Sequence, residues 1–456
     1  MKIKENINKD IFREYDIRGE VGTQIDEDIA YTIGIAYGSY IKTLGRDKCI
    51  IAHDNRLSYK MLTNALVNGI YASGINITYL GLTTTPMFYY ACIHLGIDAG
   101  IMVTASHNPV NDNGFKITFK DYKSACGKEI YDFYDYIIKG DFQKGEGSIT
   151  KYDIKEDYVN KVVSSISLNK RLKVVVDPAN AAGVCVVKDI FDRLNVDATI
   201  INNVSDGSFP NHHPDPSVKE NMRELSSYVK KLNADVGIAY DGDADRVGFV
   251  DNLGNMINID TFMAIMCDEL IPKFDDKRVL FDVKCSKQLE DEIIKLGGIP
   301  CMYRTGASYI RNKIASDNIL FGGELAGHVF FKDKWPGFDD GVYVGLRLLE
   351  VLSNKDVKLD ELDDNMSKYY STNEIKVGTR EELKRSIVDK IKEYAISNNL
   401  DYVDIDGVKV KYPYGWALVR ASNTGPNLTL RFEANTKEEC DKLEKTYLDL
   451  VSVCNK

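Results

Sequence analysis

Short uninterrupted apolar runs, each broken by a polar turn, recur along this chain. One of them, Gly100-Ile101-Met102-Val103, gives way at once to Thr104-Ala105-Ser106-His107-Asn108-Pro109. An unbroken apolar run of this length predicts a buried strand, and Asn-Pro ends it. Ser106 then stands just past the carboxyl end of a strand, where open α/β sheets place ligands. A serine beside a histidine on such a ledge is a candidate nucleophile. Taken alone, the segment reads more readily as an ordinary turn whose Ser and Asn bond locally. Loops further along reverse that reading.

Three segments open alike, with a basic residue, an apolar run and then Asp: Lys48–Asp54, Lys173–Asp177 and Lys277–Asp282. Such runs suit strands covered on both faces of a parallel sheet. A helical stretch and a second short strand follow each one, at Ile75–Leu80, Ala198–Ile201 and Ile299–Met302. Each third strand then runs into a polar loop. The first ends at Ser106. The second, Val236–Ala239, ends in Asp241-Gly242-Asp243-Ala244-Asp245-Arg246, and the third, Ile319–Phe321, in Gly323-Glu324-Leu325-Ala326-Gly327-His328. The pattern predicts three copies of one β/α unit whose equivalent loops converge on one cleft.

The remainder differs. Glu381–Ile396 is a charged helical stretch, and Val403–Val410 is a hairpin pattern around Asp406-Gly407. Leu428, Leu430, Phe432 and Ala434 alternate with Thr429, Arg431 and Glu433, which predicts a half-buried strand with Arg431 outward. Lys437–Val453 reads as an amphipathic helix. The expected fold class is therefore α/β: three similar mixed α/β domains of one repeated unit, plus a C-terminal α+β domain, around a central cleft. The expected divisions are 1–152, 153–254, 255–366 and 367–456.

Composition narrows the function. A net charge of −10 and a pI near 5.3 argue against nucleic-acid affinity, so any anionic substrate must meet locally concentrated cations. The 9 cysteines are scattered singly, which fits free thiols in a reducing cytoplasm. No signal core opens the chain and no apolar run is long enough to span a bilayer, so no membrane partner is expected.

Asp241, Asp243 and Asp245 fall at alternate positions in a turn with Gly242. Three carboxylates so close repel one another unless a cation is shared, and oxygen-only ligands suit a hard ion such as Mg²⁺. An EF-hand is excluded, since its sixth and twelfth positions would be Arg246 and Asn252. Arg246 is placed to hold phosphoryl oxygens in its planar fork. Glu324 suits vicinal sugar hydroxyls, and His328 suits a phosphate or a proton transfer. Arg420-Ala421-Ser422-Asn423-Thr424-Gly425-Pro426 combines an Arg, hydroxyls, an amide and a Gly in one turn, a plausible phosphate cradle. Arg13 and Arg18 share a short turn near the start of the chain. Lys116 projects opposite two apolar neighbours. These arginines and Lys116 supply positive charge beside Ser106, or are simply solvated.

Together these motifs resemble the α-D-phosphohexomutase superfamily, in its bacterial phosphomannomutase/phosphoglucomutase branch. The matching stretches run from Phe12–Gly19 through Thr104–Pro109, Asn211–Pro216, Asp241–Arg246 and His328–Phe331 to Arg420–Glu433. The resemblance implies four domains around a cleft and a phosphoryl group carried on Ser106. It implies Mg²⁺ held by that phosphoserine and by Asp241, Asp243 and Asp245. It matches Glu324 to a sugar-hydroxyl ligand, and Tyr15 and Lys284 to sugar contacts. Arg420, Ser422, Asn423 and Thr424 match a grip on the phosphate that is not transferred. Arg18, His107, Lys116, Arg246 and His328 match the basic surround of the transfer site.

The implied reaction interconverts hexose 1-phosphate and hexose 6-phosphate, of mannose or glucose, through a hexose 1,6-bisphosphate. Lys116 or His328 is the implied general base or acid. The branch usually has Ser where Ala326 stands and His where Ala307 stands, which leaves the preferred hexose open. The partners expected are small sugar phosphates, with a monomer first and a dimer as the alternative. Competing readings are a phosphoglucosamine mutase, a phosphatase using Asp241-Gly242-Asp243, and a non-catalytic sugar-phosphate sensor.

Overall fold

The structure is a computed structural model that describes residues 1–355, 357–422 and 425–455. Four sheets follow one another along the chain. In the first, Lys48–His53 lies between Gly100–Val103 and Asn76–Leu82, parallel to both, and Asp112–Thr118 adds antiparallel to Gly100–Val103. Lys173–Asp177 is bracketed in the same way by Val236–Tyr240 and Asp197–Ile200, with Val247–Val250 antiparallel outside. In the third sheet Arg278–Asp282 is bracketed by Phe321–Gly323 and Ile299–Tyr303, with Val329–Phe331 antiparallel outside. The same order, returning strand, third, first, second, is thus built three times.

The threefold repeat expected from the apolar runs is present. The third unit's third strand is Phe321–Gly323, shifted from the expected Ile319–Phe321. Gly322 and Gly323 carry the pairing with Arg278–Asp282 there, and glycine pairs register only weakly in an apolar pattern.

The central strands are apolar because both faces are covered. Gly100–Val103 and Val236–Tyr240 are buried along their whole length. One hydrophobic cluster runs without a break through the first three units, from Ile50 and Met102 through Val176 and Ile238 to Phe281 and Leu349. A shared core of this kind sets the strand ends of different units against one another. Helices pack on the sheets, and some begin at side-chain caps: Thr84 opens Thr85–His94 and Asp340 opens Gly341–Asn354.

The fourth sheet is antiparallel, ordered Tyr370–Ser371, Asn427–Ala434, Gly415–Ala421, Val408–Tyr412 and Tyr402–Val403, with Ile375–Gly378 also on Asn427–Ala434. The expected hairpin around Asp406-Gly407 pairs Tyr402 with Val410. Helix Lys437–Cys454 closes the chain behind a Thr436/Glu439 capping box.

The expectation of an outward Arg431 is corrected. Arg431 is 3% exposed, and its guanidinium donates to the Lys284 carbonyl and lies 3.6 Å from Asp260. Alternation assigned it correctly to the face opposite Leu430 and Phe432, but the third unit covers that face. No helix among the described residues is long and apolar enough to cross a membrane.

Candidate active site

Ser106 lies three residues past Val103 with φ +52°, a left-handed conformation unusual for a residue with a Cβ. Its N–H donates to Thr104 Oγ1 at 2.9 Å. Its hydroxyl donates to Asp241 Oδ2 at 2.6 Å and lies 3.3 Å from His107 Nδ1. The first and second units therefore meet at this oxygen. Gly242 makes the approach feasible, since a Cβ there would stand 2.2 Å from the Ser106 carbonyl oxygen.

Asp241, Asp243 and Asp245 are all buried, with ligand oxygens within 4.8 Å of one another. Burial, then the charges of Asp243 and Asp245, push the Asp241 carboxyl well above the usual carboxylate range. Burial also penalises an ionised Asp243, but Lys116 outweighs it and holds this carboxyl below its ordinary value. Lys116 Nζ donates to Asp243 Oδ2 at 2.7 Å and to Asp245 Oδ2, and Thr85 Oγ1 donates to Asp243 Oδ2 at 2.5 Å. The other oxygens, Asp243 Oδ1 and Asp245 Oδ1, are buried and have no hydrogen-bond partner among the described residues. Orphaned carboxylate oxygens with one lysine to share fit a divalent cation, and an all-oxygen donor set suits a hard one.

Basic side chains surround this point. Arg18 Nη1 donates to the Ala105 carbonyl at 3.0 Å and to Asn108 Oδ1 at 2.9 Å. Arg246 Nε donates to His328 Nε2 at 2.8 Å, which leaves His328 Nδ1 as the donor to Asp339 Oδ2 at 2.7 Å. Burial, then the positive charges of Arg246 and Arg18, hold the His107 ring well below its usual pKa. Both causes favour the neutral form of the ring.

The third and fourth units supply the far wall. Glu324 Oε2 accepts from the Gly306 N–H at 2.8 Å. The Tyr15 ring packs on Gly306 so closely that a Cβ there would come within 2.6 Å of it. Lys284 Nζ lies 2.7 Å from Glu374 Oε1 and 3.7 Å from Asp282. Lys284 in turn brings the Glu374 carboxyl down to about 2. Arg420 Nε donates to Asp406 Oδ2 at 3.0 Å, and the same oxygen accepts from the Thr305 N–H at 3.0 Å. The Ser422 N–H donates to the Asn427 carbonyl at 2.9 Å. Asn423 and Thr424 lie outside the described residues.

One cleft of about 1360 Å³ is lined by Tyr15, Arg18, Ser106, His107, Lys116, Asp245, Arg246, Lys284, Glu324, His328, Arg420 and Ser422. Every described candidate from the sequence thus faces it, apart from Asp241 and Asp243, which sit behind Ser106 and Lys116. The sequence reading missed Thr85, Asp339, Glu374 and Asp406. Each acts as a partner to a candidate rather than as part of a motif. Asp339 stands eight residues past the strand Val329–Phe331, beyond the charged stretch Lys332-Asp333-Lys334, and no motif marks it.

Fold and cleft together are those of a multidomain α/β enzyme. Four family models cover the chain: phosphoglucomutase/phosphomannomutase α/β/α domains I, II and III at residues 9–142, 156–254 and 258–369, and the C-terminal domain at 374–450. The chain belongs to the phosphoglucomutase/phosphomannomutase family. It is 38% identical to a phosphomannomutase/phosphoglucomutase of Pseudomonas syringae pv. tomato, over 96% of this chain and 94% of that one. A phosphoglucomutase of Neisseria meningitidis is 36% identical over 97% and 96% of the two chains. A crystal structure of a phosphoglucomutase/phosphomannomutase family protein from Burkholderia thailandensis superposes with a TM-score of 0.92 at 35% identity, covering 98% of both chains.

Proposed function

We propose that the protein interconverts hexose 1-phosphates and hexose 6-phosphates of mannose or glucose through a phosphoryl group carried on Ser106. The observation that carries this reading is the 2.6 Å contact between Ser106 Oγ and Asp241 Oδ2 inside a cleft walled by four units. We divide those units at 1–152, 153–254, 255–366 and 367–456.

Asp241, Asp243, Asp245 and the oxygen on Ser106 would hold a divalent cation, Mg²⁺ by its preference for oxygen. Such an ion neutralises charge on a phosphoryl group in transfer. Arg18 and Arg246 carry the remaining charge as the group passes between Ser106 and a sugar oxygen. Lys116 or His328 exchanges the proton with that oxygen. Lys116 is held protonated while it pairs with Asp243 and Asp245. Loss of those partners to a cation would lower its pKa toward a useful range.

Glu324, Lys284 and Tyr15 would hold the sugar ring. Arg420, Ser422, Asn423 and Thr424 would hold the phosphate that is not transferred. Arg420 meets Asp406 in this structure, so a bound phosphate would compete for its fork. A hexose 1,6-bisphosphate forms when Ser106 delivers its group, and it must turn over in the cleft before the other phosphate returns. One distal grip then serves both orientations.

A coupled assay primed with glucose 1,6-bisphosphate tests the reading on mannose 1-phosphate and glucose 1-phosphate. Turnover of at least one is expected, with Ser106→Ala nearly inactive on both. Release of inorganic phosphate without isomerisation would point to a phosphatase instead.

A further inference from the structure

Arg56 is hidden completely, with 0% exposure, and no step described above uses it. A buried cation is costly unless its donors are satisfied. Arg56 satisfies its four Nη donors on one loop, while its Nε makes no hydrogen bond and is met only by the charge of Asp54. Its Nη2 donates to the carbonyls of Ser106 at 2.6 Å and Asn108 at 2.8 Å. Its Nη1 donates to the carbonyls of Pro109 at 2.7 Å and Asp112 at 3.0 Å. Its Nε lies 3.4 Å from Asp54 Oδ2. That same carboxylate oxygen accepts from Thr104 Oγ1 at 2.7 Å, and Thr104 Oγ1 accepts from the Ser106 N–H at 2.9 Å.

One buried ion pair therefore reaches both backbone ends of Ser106, the carbonyl through Arg56 and the amide through Asp54 and Thr104. Ser106 has φ +52°, a conformation that a residue with a Cβ keeps only when its surroundings impose it. The second unit closes over the pair. The Phe209 ring centroid lies 5.4 Å from Arg56 Cζ, and Gly207 backs onto the Asn55 carbonyl so closely that a Cβ would stand 2.1 Å from its oxygen.

We infer that the Arg56–Asp54 pair is the positioning device for Ser106, clamping both ends of the residue so that Oγ stays on Asp241. The inference rests on Ser106 being the phosphoryl carrier. A lysine cannot replace the guanidinium, because a point charge does not reproduce a planar fork that serves four carbonyls.

The test compares Arg56→Lys, Thr104→Val and Ser106→Ala with the wild type. It reads kcat and KM for glucose 1-phosphate, primed with glucose 1,6-bisphosphate and expressed per folded molecule from thermal melts. Arg56→Lys and Thr104→Val should each lower kcat on the order of 10²-fold, the scale of a small misplacement of a reacting group. KM should stay within about threefold, because the substrate's own contacts are untouched. Wild-type kcat per folded molecule in both variants, or a loss confined to KM, would overturn the clamp. If Arg56→Lys does not melt cooperatively, Thr104→Val, which is nearly isosteric, decides alone. Wild-type turnover by Ser106→Ala would instead remove the carrier reading, and the clamp would fall with it.

Discussion

Gly242 shows how one missing side chain sets the distance at which the chemistry is arranged. It lies between Asp241 and Asp243, and its Cα faces the Ser106 carbonyl. Gly242→Ala would push the acidic loop away from Ser106, against backbone that cannot yield easily. A stability loss of about 1–3 kcal/mol is expected from such overpacking. The activity loss, measured as kcat per folded molecule, should exceed what that destabilisation explains. Residues of this kind were partly legible in the sequence. The alternate aspartates were legible as a carboxylate cluster, which the fold brings together, whereas Ser106 was legible as a residue just past a strand end and drew weight only from the loops further along. Asp339 and Arg56 were not legible, because each earns its role through a partner that only the folded chain brings near. Asp339 meets His328, and Arg56 meets carbonyls more than forty positions away.

At the scale of elements, strand-end loops and helix caps do the placing. Helix Gly341–Asn354 begins at Asp340, whose Oδ1 accepts from the Tyr343 N–H at 3.0 Å, while Oδ2 accepts from the Tyr158 hydroxyl at 2.9 Å. The residue before it, Asp339, holds His328, so the cap and the site share one turn. Burial raises the Asp340 carboxyl from an ordinary 3.8 to about 7. The folded chain therefore keeps a proton there that the unfolded chain has already lost. Between those two values stability falls as pH rises. Asp340→Asn keeps a capping oxygen without the charge. Its melting temperature should decline less steeply than the wild type's across that range, and parallel curves would contradict the assignment. The central strands were readable from their unbroken apolar runs. The short strand Phe321–Gly323 was misplaced because its glycines carry no side-chain pattern.

On the scale of the molecule, the fourth unit is tied to the third through polar groups that no periodicity reveals. Lys409 Nζ donates to the carbonyls of Val283 at 3.0 Å and Cys285 at 3.1 Å, and lies 3.8 Å from the centre of the Trp416 ring. Lys284 stands between those two carbonyls and faces the cleft. Lys409→Met would leave both carbonyls unpaired, a cost of about 1–3 kcal/mol for each buried group. A lower denaturant midpoint is expected, together with a KM for sugar phosphate that rises more than kcat falls. The threefold repeat and the separate last unit were legible because each rests on patterns within one segment. The burial of Arg431 was not, since alternation tells which side a residue takes and nothing about what covers that side.

The most direct measurement is the intact mass of wild-type protein and of Ser106→Ala after incubation with glucose 1,6-bisphosphate and Mg²⁺, before and after phosphatase treatment. The wild type should gain the mass of one phosphoryl group, removable by phosphatase and mapped to Ser106, while the variant gains none. An unchanged wild-type mass, or equal gains in both proteins, would contradict a phosphoryl carrier at Ser106.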